Sequence, residues 1–437
     1  MSSSNPDVVI LGGGLAGLTA AYHLKDRDIL VLEALDRVGG RTLSGEHDGY
    51  WYNSGAQFVW DQRTVGLCRE LGLEVAGGEG AQSAVFVNGR LAVASNPYGL
   101  LLKMPISWRE KVDFAMTINR LRRVAARMHG LDPELDAGSL ADVIGEASGV
   151  TKQILDMAST SGTGLSPEEV SGAIGLGYAI HLFGGDVNST LKGVRGGTQQ
   201  ISKGITEAID PERVMLDSKV VSVETSGDQV AVRYRRGEGP IEEIQASACI
   251  SALTADAVLE AFPDLPSPKR SALEAMVPYA KVVTVAWLTD ENGPMPWDRL
   301  LAVPAIGVSF ELFSNNAFFA RQAEGGVRRA GGAFVTLATG PRAEALWDLT
   351  DEAVVSRIRQ DLLAMFPGAS DVLKRATTRL ARWYGLPRFR KGSLGRQAAL
   401  RQPYGRVHFA GDYTAQPGTP GAVGSGYHAA VAVRGLL

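Results

Sequence analysis

Two cysteines, Cys68 and Cys249, are all that the 437 residues contain. That scarcity excludes a disulfide framework and a four-cysteine zinc site, and it points to a reducing compartment. Neither sign of charge prevails: 44 Lys and Arg stand against 47 Asp and Glu, a net −3, which gives a nucleic-acid partner no electrostatic footing. No apolar run reaches the ~18 residues of a membrane span. The first residues (MSSSNPD) are polar and lack a secretory apolar core. Internal repeats and low-complexity tracts are missing too. The expectation is a soluble, cytoplasmic chain, too long for one hydrophobic core.

Glycine is the residue in excess, 52 of 437, or about 12% against a usual ~7%. Its clearest use is at the start. An apolar run at residues 7–11 (DVVIL) reads as a strand covered on both faces, and it ends in Gly12, Gly14 and Gly17 at GxGxxG spacing. A helical Ala/Leu segment containing Leu15 and Ala16 follows, then a second strand at residues 29–32. Glu33 closes that strand 21 residues beyond Gly12, where a carboxylate accepts from a ribose diol. Strand, glycine turn, helix, strand and distal acid together predict a dinucleotide site. Beyond it, residues 97–130 and 166–183 read as helices, the latter opened by Ser166 and Pro167. Strands are predicted at VVSVE, VAVRYRR and ACISA between residues 214 and 252, and again at 282–288. A helix follows at 353–365, a strand at 407–410, and last a small-residue helix.

Residues 37–42 (RVGGRT) add a second glycine pair, with Gly40 and Arg41, where nicotinamide dehydrogenases do not ordinarily carry one. With the GxGxxG turn and the block Val31-Leu32-Glu33-Ala34, this resembles the flavin-containing amine oxidoreductases: monoamine and polyamine oxidases, L-amino-acid oxidases, protoporphyrinogen oxidases and phytoene desaturases. Ser54-Gly55-Ala56-Gln57-Phe58 resembles their flavin-facing loop. Val220 with residues 250–252 resembles their second adenine-side strand pair, and Phe409-Ala410-Gly411-Asp412 their C-terminal flavin motif. The resemblance implies an α/β fold in which a Rossmann-like FAD-binding domain (residues 1–75, 195–278 and 395–437) interleaves with an α+β substrate-binding domain (76–194 and 279–394) carrying a helical insertion. FAD is the implied cofactor. The first helix N-terminus would hold the pyrophosphate, with Arg41 adding a charge-assisted bond. The last helix, containing Ala422 and Val423, would favour negative charge on the reduced ring. Asp412 is placed near the ribityl chain by resemblance alone.

The segment from Glu169-Val170-Ser171 to Gly196-Gly197-Thr198-Gln199 is similar to monoamine oxidases, whose corresponding helix walls the substrate cavity. It makes Tyr178, Leu182 and Phe183 candidate substrate contacts, with Phe310, Trp383, Leu394 and Thr419 from other segments; Trp108 and Phe313 are further possibilities. His181 is read as structural. Departures are as informative. The lysine that relatives place by flavin N5 is replaced by Thr284, and Lys281, an odd number of residues away, faces the other side of its strand. The two cage tyrosines are replaced by Leu394 and a residue near Thr419. No cysteine follows Cys249, so the FAD is expected to be non-covalent. A basic run between Lys374 and Arg396 reads as a solvated face.

No acid or base stands out as catalytic, and no metal ligands cluster. The function expected is oxidation of a carbon adjacent to nitrogen, in an amine or amide, by hydride transfer to flavin N5. The product is an imine, and O2 is the acceptor that becomes H2O2. The alternative is a desaturase or porphyrinogen-type dehydrogenase acting on a larger carbon skeleton. A small-molecule substrate is the expected partner, and the family suggests a homodimer.

Overall fold

The computed structural model describes residues 5–128, 132–147 and 149–437. The predicted opening unit forms as Val8–Leu11, Leu15–His23 and Ile29–Leu32. Gly12 turns the chain at φ +98°, a conformation that a β-carbon opposes. At Gly17 a β-carbon would stand 2.0 Å from the Gly12 carbonyl oxygen, so only glycine lets the helix lie on this turn. The two strands are the centre of a five-stranded parallel sheet in the order Val407–Phe409, Ala248–Ser251, Val8–Leu11, Ile29–Leu32, Val214–Met215. The final helix, Thr419–Arg434, lies against Leu15–His23. The approach is close enough that a β-carbon on Gly426 would stand 2.2 Å from the Ala16 carbonyl oxygen. Opposite ends of the chain thus share one core.

A second five-stranded sheet is antiparallel, in the order Ala302–Pro304, Leu312–Ser314, Gly332–Thr339, Ala280–Thr289, Thr377–Leu386. One side buries Trp287, Trp297, Phe310, Phe313, Phe334 and Phe366 in an aromatic core closed by the helix Asp351–Met365. A smaller antiparallel sheet comprises Ser218–Ser226, Gln229–Arg236 and Ile241–Ala246. Its third strand, IEEIQA, is not among the strands expected from sequence. Four of its six residues are exposed, so the apolar alternation that marks a strand is nearly absent.

The helical insertion includes Pro97–Lys103, Trp108–Ala125, Gly149–Thr163 and Gly172–Phe183. Residues 129–130 of the predicted helical segment lie outside the described residues. The last of these helices starts later than predicted. The amides of Glu169 and Val170 close a turn on the Ser166 carbonyl, and Val170 and Ser171 then bridge to Arg390 and Ser139. The backbone stays extended until the Ser171 hydroxyl accepts from the Ile174 amide at 3.4 Å and caps the helix. Three residues of the basic run pair with acids. Arg375 pairs with Asp290, Arg382 with Asp351 and Arg390 with Glu169, at 3.2, 2.6 and 3.9 Å.

Candidate active site

A cleft of about 500 Å3 runs from the C-terminal ends of the parallel strands to the antiparallel sheet and the helix Gly172–Phe183. Strand ends are where open α/β sheets bind ligands. At this end Glu33 is 7% exposed; its two oxygens accept from the Gly13 amide at 2.7 Å and the Leu35 amide at 2.9 Å. Burial raises its pKa while the amides lower it. A carboxylate has about four acceptor sites, so two remain for a diol. The neighbouring helix has Gly14 as its N-cap, with no side-chain cap and no acid in its first turn. A β-carbon on Gly14 would meet nothing within 4 Å, so the unpaired amides open onto the cleft.

In the middle of the cleft Arg41 and Asp412 join two segments 371 residues apart. Their bidentate bonds are 2.8 and 2.9 Å, and Arg41 also donates to the Gly385 carbonyl at 2.7 Å. Sequence reasoning directed Arg41 to a pyrophosphate and Asp412 to a ribityl chain, but the two side chains bind each other. The loop at residues 53–57 is cinched by the Asn53 side-chain amide on the Gln57 carbonyl and the Gln57 side-chain amide on the Asn53 carbonyl, at 3.0 and 2.7 Å. Beyond the pair, the last helix opens at Gly418 and Thr419, again without side-chain cap or acid. Three buried polar atoms on the cleft wall, Gln57 Oε1, Tyr413 Oη and Thr419 Oγ1, have no partner within the chain. An extended dinucleotide with a polar ring system fits this set: a diol acceptor, an anion-binding helix end, orphaned polar atoms, and a second helix end for ring charge.

The far end is apolar. Trp60, Tyr178, Leu182, Leu312, Leu337 and Trp383 line it. The Ser54 carbonyl accepts from both the Trp383 indole and the Thr284 hydroxyl, each at 2.8 Å. Thr284 thereby points its only donor away from a ligand. Lys281 lies on the opposite strand face, its ammonium 5.0 Å from the Trp347 ring centre, as its parity predicts. The Tyr178 hydroxyl donates to the Pro417 carbonyl at 3.3 Å. His181 lies 5.6 Å from the Trp60 ring, and burial lowers its pKa, which favours the uncharged ring. Among the described residues, no carboxylate or lysine lines this end.

Of the residues proposed from sequence, Gly12, Gly14, Leu15, Ala16, Glu33, Ala34, Gly40, Arg41, Gly55, Ala56, Gln57, Phe58, Gly411, Asp412 and Ala422 line the cleft. So do Tyr178, Leu182, Trp383 and Thr419. Six others do not. Gly17 and Val423 lie behind the wall, in the contacts that join their helices to the parallel sheet and to each other. Val220 packs into the core beneath the small antiparallel sheet. Phe183 turns away to meet Phe114 edge-on at 5.8 Å. Phe310 is wholly buried in the aromatic core, as is Phe313. Leu394 packs against the core, its amide donating to Asp136 at 2.8 Å, and does not line the cleft. Trp108 stands on the surface, 69% exposed. Trp60, Tyr413, Met157 and His181 line the cleft without having been proposed. Trp60 and Tyr413 flank recognised blocks, and extending those blocks by two residues reaches both.

Fold and cleft together define a dinucleotide-binding oxidoreductase. The chain belongs to the flavin-containing amine oxidoreductase family, whose model matches residues 15–434; FAD is its cofactor. Similar sequences include the flavin-containing amine oxidase A of Equus caballus, 30% identical over 297 residues (62% of this chain, 54% of the relative). Amine oxidase B of Mus musculus is 27% identical over 301 residues (64% and 56%). The matches thus span little more than half of these relatives' own length. Among solved structures, a putrescine oxidase bound to putrescine superposes with a TM-score of 0.81 at 22% identity, covering 98% of this chain and 99% of that one. Cyclohexylamine oxidase from Brevibacterium oxydans gives 0.77 at 22% identity, with the same coverage. A protein described as a protoporphyrinogen oxidase, from Exiguobacterium, gives 0.72 at 18% identity, covering 99% of each chain.

Proposed function

We propose that this protein oxidises an apolar amine at the carbon adjacent to nitrogen, giving an imine, with O2 reduced to H2O2. The observation that carries this reading is the far end of the cleft, walled by aromatic and aliphatic side chains and free of carboxylate and lysine among the described residues. FAD held in this cleft would supply the hydride acceptor and the route of the electrons to O2. Trp60, Tyr178 and Trp383 orient the C–H bond and exclude water. A neutral amine carries its own lone pair, so no protein base is needed at the reacting carbon. The adenosine diol falls to Glu33, the pyrophosphate to the helix after Gly14, and the ring to residues 55–58 and the helix start at Thr419. The Arg41–Asp412 pair holds these parts in register. Residues 1–75, 195–278 and 395–437 form the flavin domain, with the remainder handling substrate.

Neither cysteine lines the cleft, which supports non-covalent FAD; acid precipitation should release the yellow colour into the supernatant. Cytoplasmic placement and a homodimer belong to the same proposal, the latter checked by light scattering. The decisive experiment is anaerobic mixing with alkyl and aryl amines, amides and amino acids. The expected result is bleaching by apolar monoamines, with peroxide formed in air. Absence of bleaching across all three classes overturns the reading. The orientation of Thr284 favours a second reading, dehydrogenation of a carbon skeleton, because no polar group of that strand addresses an amine. Bleaching by large polyenes or porphyrinogens but not by amines would establish it.

A further inference from the structure

The helices Pro97–Lys103 and Trp108–Ala125 carry a feature unrelated to the cleft. Along the second, Phe114, Thr117, Ile118 and Leu121 face the protein, with Phe114 edge-on to Phe183 at 5.8 Å. At ~100° per residue, Trp108, Val112 and Met116 fall on the side opposite this buried face. They are 69%, 42% and 67% exposed. The first helix adds Tyr98 and Leu102, one turn apart and 77% and 62% exposed. A helix pair apolar on both sides is expected to have something covering its outer side.

The surrounding charge says what. Residues 97–128 hold seven Lys and Arg against two Asp and Glu, a net +5 in a chain of net −3. Glu110 is engaged in a capping box with Ser107. Among the described residues none of the seven cations forms an ion pair with a carboxylate. Lys103 and Lys111 instead donate to backbone carbonyls of Val93 and Leu102, at 3.0 and 2.5 Å. A two-fold contact between copies would set this positive face against itself, which disfavours a second copy as the cover. Trp and Tyr beside aliphatic residues, ringed by Lys and Arg, match the interface of a bilayer with negative headgroups. No described helix is long and apolar enough to cross a membrane, so the pair lies on the surface rather than spanning it.

We propose that this helix pair docks the protein on anionic lipid bilayers, with Tyr98, Leu102, Trp108, Val112 and Met116 inserted among the headgroups. The helix Gly172–Phe183, which walls the cleft, packs directly beneath.

The test is flotation of the flavin-loaded full chain with phosphatidylcholine vesicles, with and without phosphatidylserine, at low and raised salt. The expected result is retention on anionic vesicles only, weakening with salt. Trp108→Ser combined with Met116→Ser lowers retention at least about ten-fold without changing flavin content or melting temperature. Arg120→Gln with Arg123→Gln removes the preference for anionic lipid. Any of three results overturns the proposal: no retention on anionic vesicles, equal retention of the Ser double variant, or light scattering that shows a dimer which this variant dissociates.

Discussion

Replacing Arg41 with alanine tests the clamp between the chain's two ends. The Asp412 side chain is 3% exposed and accepts both arginine bonds, at 2.8 and 2.9 Å. Without Arg41 it keeps only the Tyr413 amide at 3.1 Å. Removing one partner of a buried pair costs about 3–5 kcal/mol, because the remaining charge stays desolvated. Unfolding entropy of about 2.1 cal/mol/K per residue amounts to ~0.9 kcal/mol/K over 437 residues. The substitution should therefore lower the melting temperature by roughly 3–5 °C. Calorimetry of flavin-free protein measures this at low and high salt, and the shift should survive salt because the carboxylate is inaccessible to it. Asp412→Asn introduced into Arg41→Ala should cost less than Asp412→Asn alone, since the orphaned charge is then gone. A shift under about 1 °C with additive single and double effects would refute the clamp.

Gly17→Ala should abolish flavin retention, because its β-carbon meets the Gly12 carbonyl oxygen at 2.0 Å and that backbone holds the turn; the ratio of flavin to protein absorbance in purified material checks it. Trp383→Phe removes one of two donors to the Ser54 carbonyl and should cost about 1 kcal/mol. That would appear as a several-fold loss in kcat/KM for amines, with flavin content unchanged. Glu311, wholly buried against Arg342 at 3.0 Å and the Thr339 amide at 2.8 Å, has its pKa pushed from 4.5 to about 7 by burial. The folded state holds this proton more tightly than the unfolded chain. The corresponding stability, about 3 kcal/mol, is therefore complete below pH ~4.5 and lost as pH rises through ~7. Melting temperatures of the native protein and Glu311→Gln, measured from pH 5 to pH 8, should diverge as the native protein falls; parallel curves would refute the shift.

The dinucleotide end of the cleft was legible in the sequence because glycine and charge carry it. Gly12 and Gly17 are required by backbone geometry, and Glu33 sits at a fixed distance along one βαβ unit. The Arg41–Asp412 pair was not legible: both residues were singled out, but their partnership closes a gap of 371 residues. The strand Ile241–Ala246 was missed for a different reason, since its mostly exposed residues 242–245 (EEIQ) show no apolar alternation to read.

The substrate end divides along the same line between strand parity and helix phase. Parity on Ala280–Thr289 has two values, so placing Thr284 on the Val282 side also fixed Lys281 on the other, and Val282 lines the cleft. Phase on Gly172–Phe183 is continuous, and the helix is apolar nearly all round, so Leu182 and Phe183 looked alike. One step of ~100° leaves Leu182 on the cleft and carries Phe183 to Phe114. The consequence reaches chemistry. Among the described residues the far end offers surfaces and no carboxylate or lysine, so under the proposed function selection among amines there is by shape. Hydrophobic pockets discriminate by only about 1–3 kcal/mol per methylene. Leu182→Ala should therefore broaden the range of amines accepted without changing the cofactor's attachment, whereas Phe183→Ala should destabilise the insertion and leave that range alone.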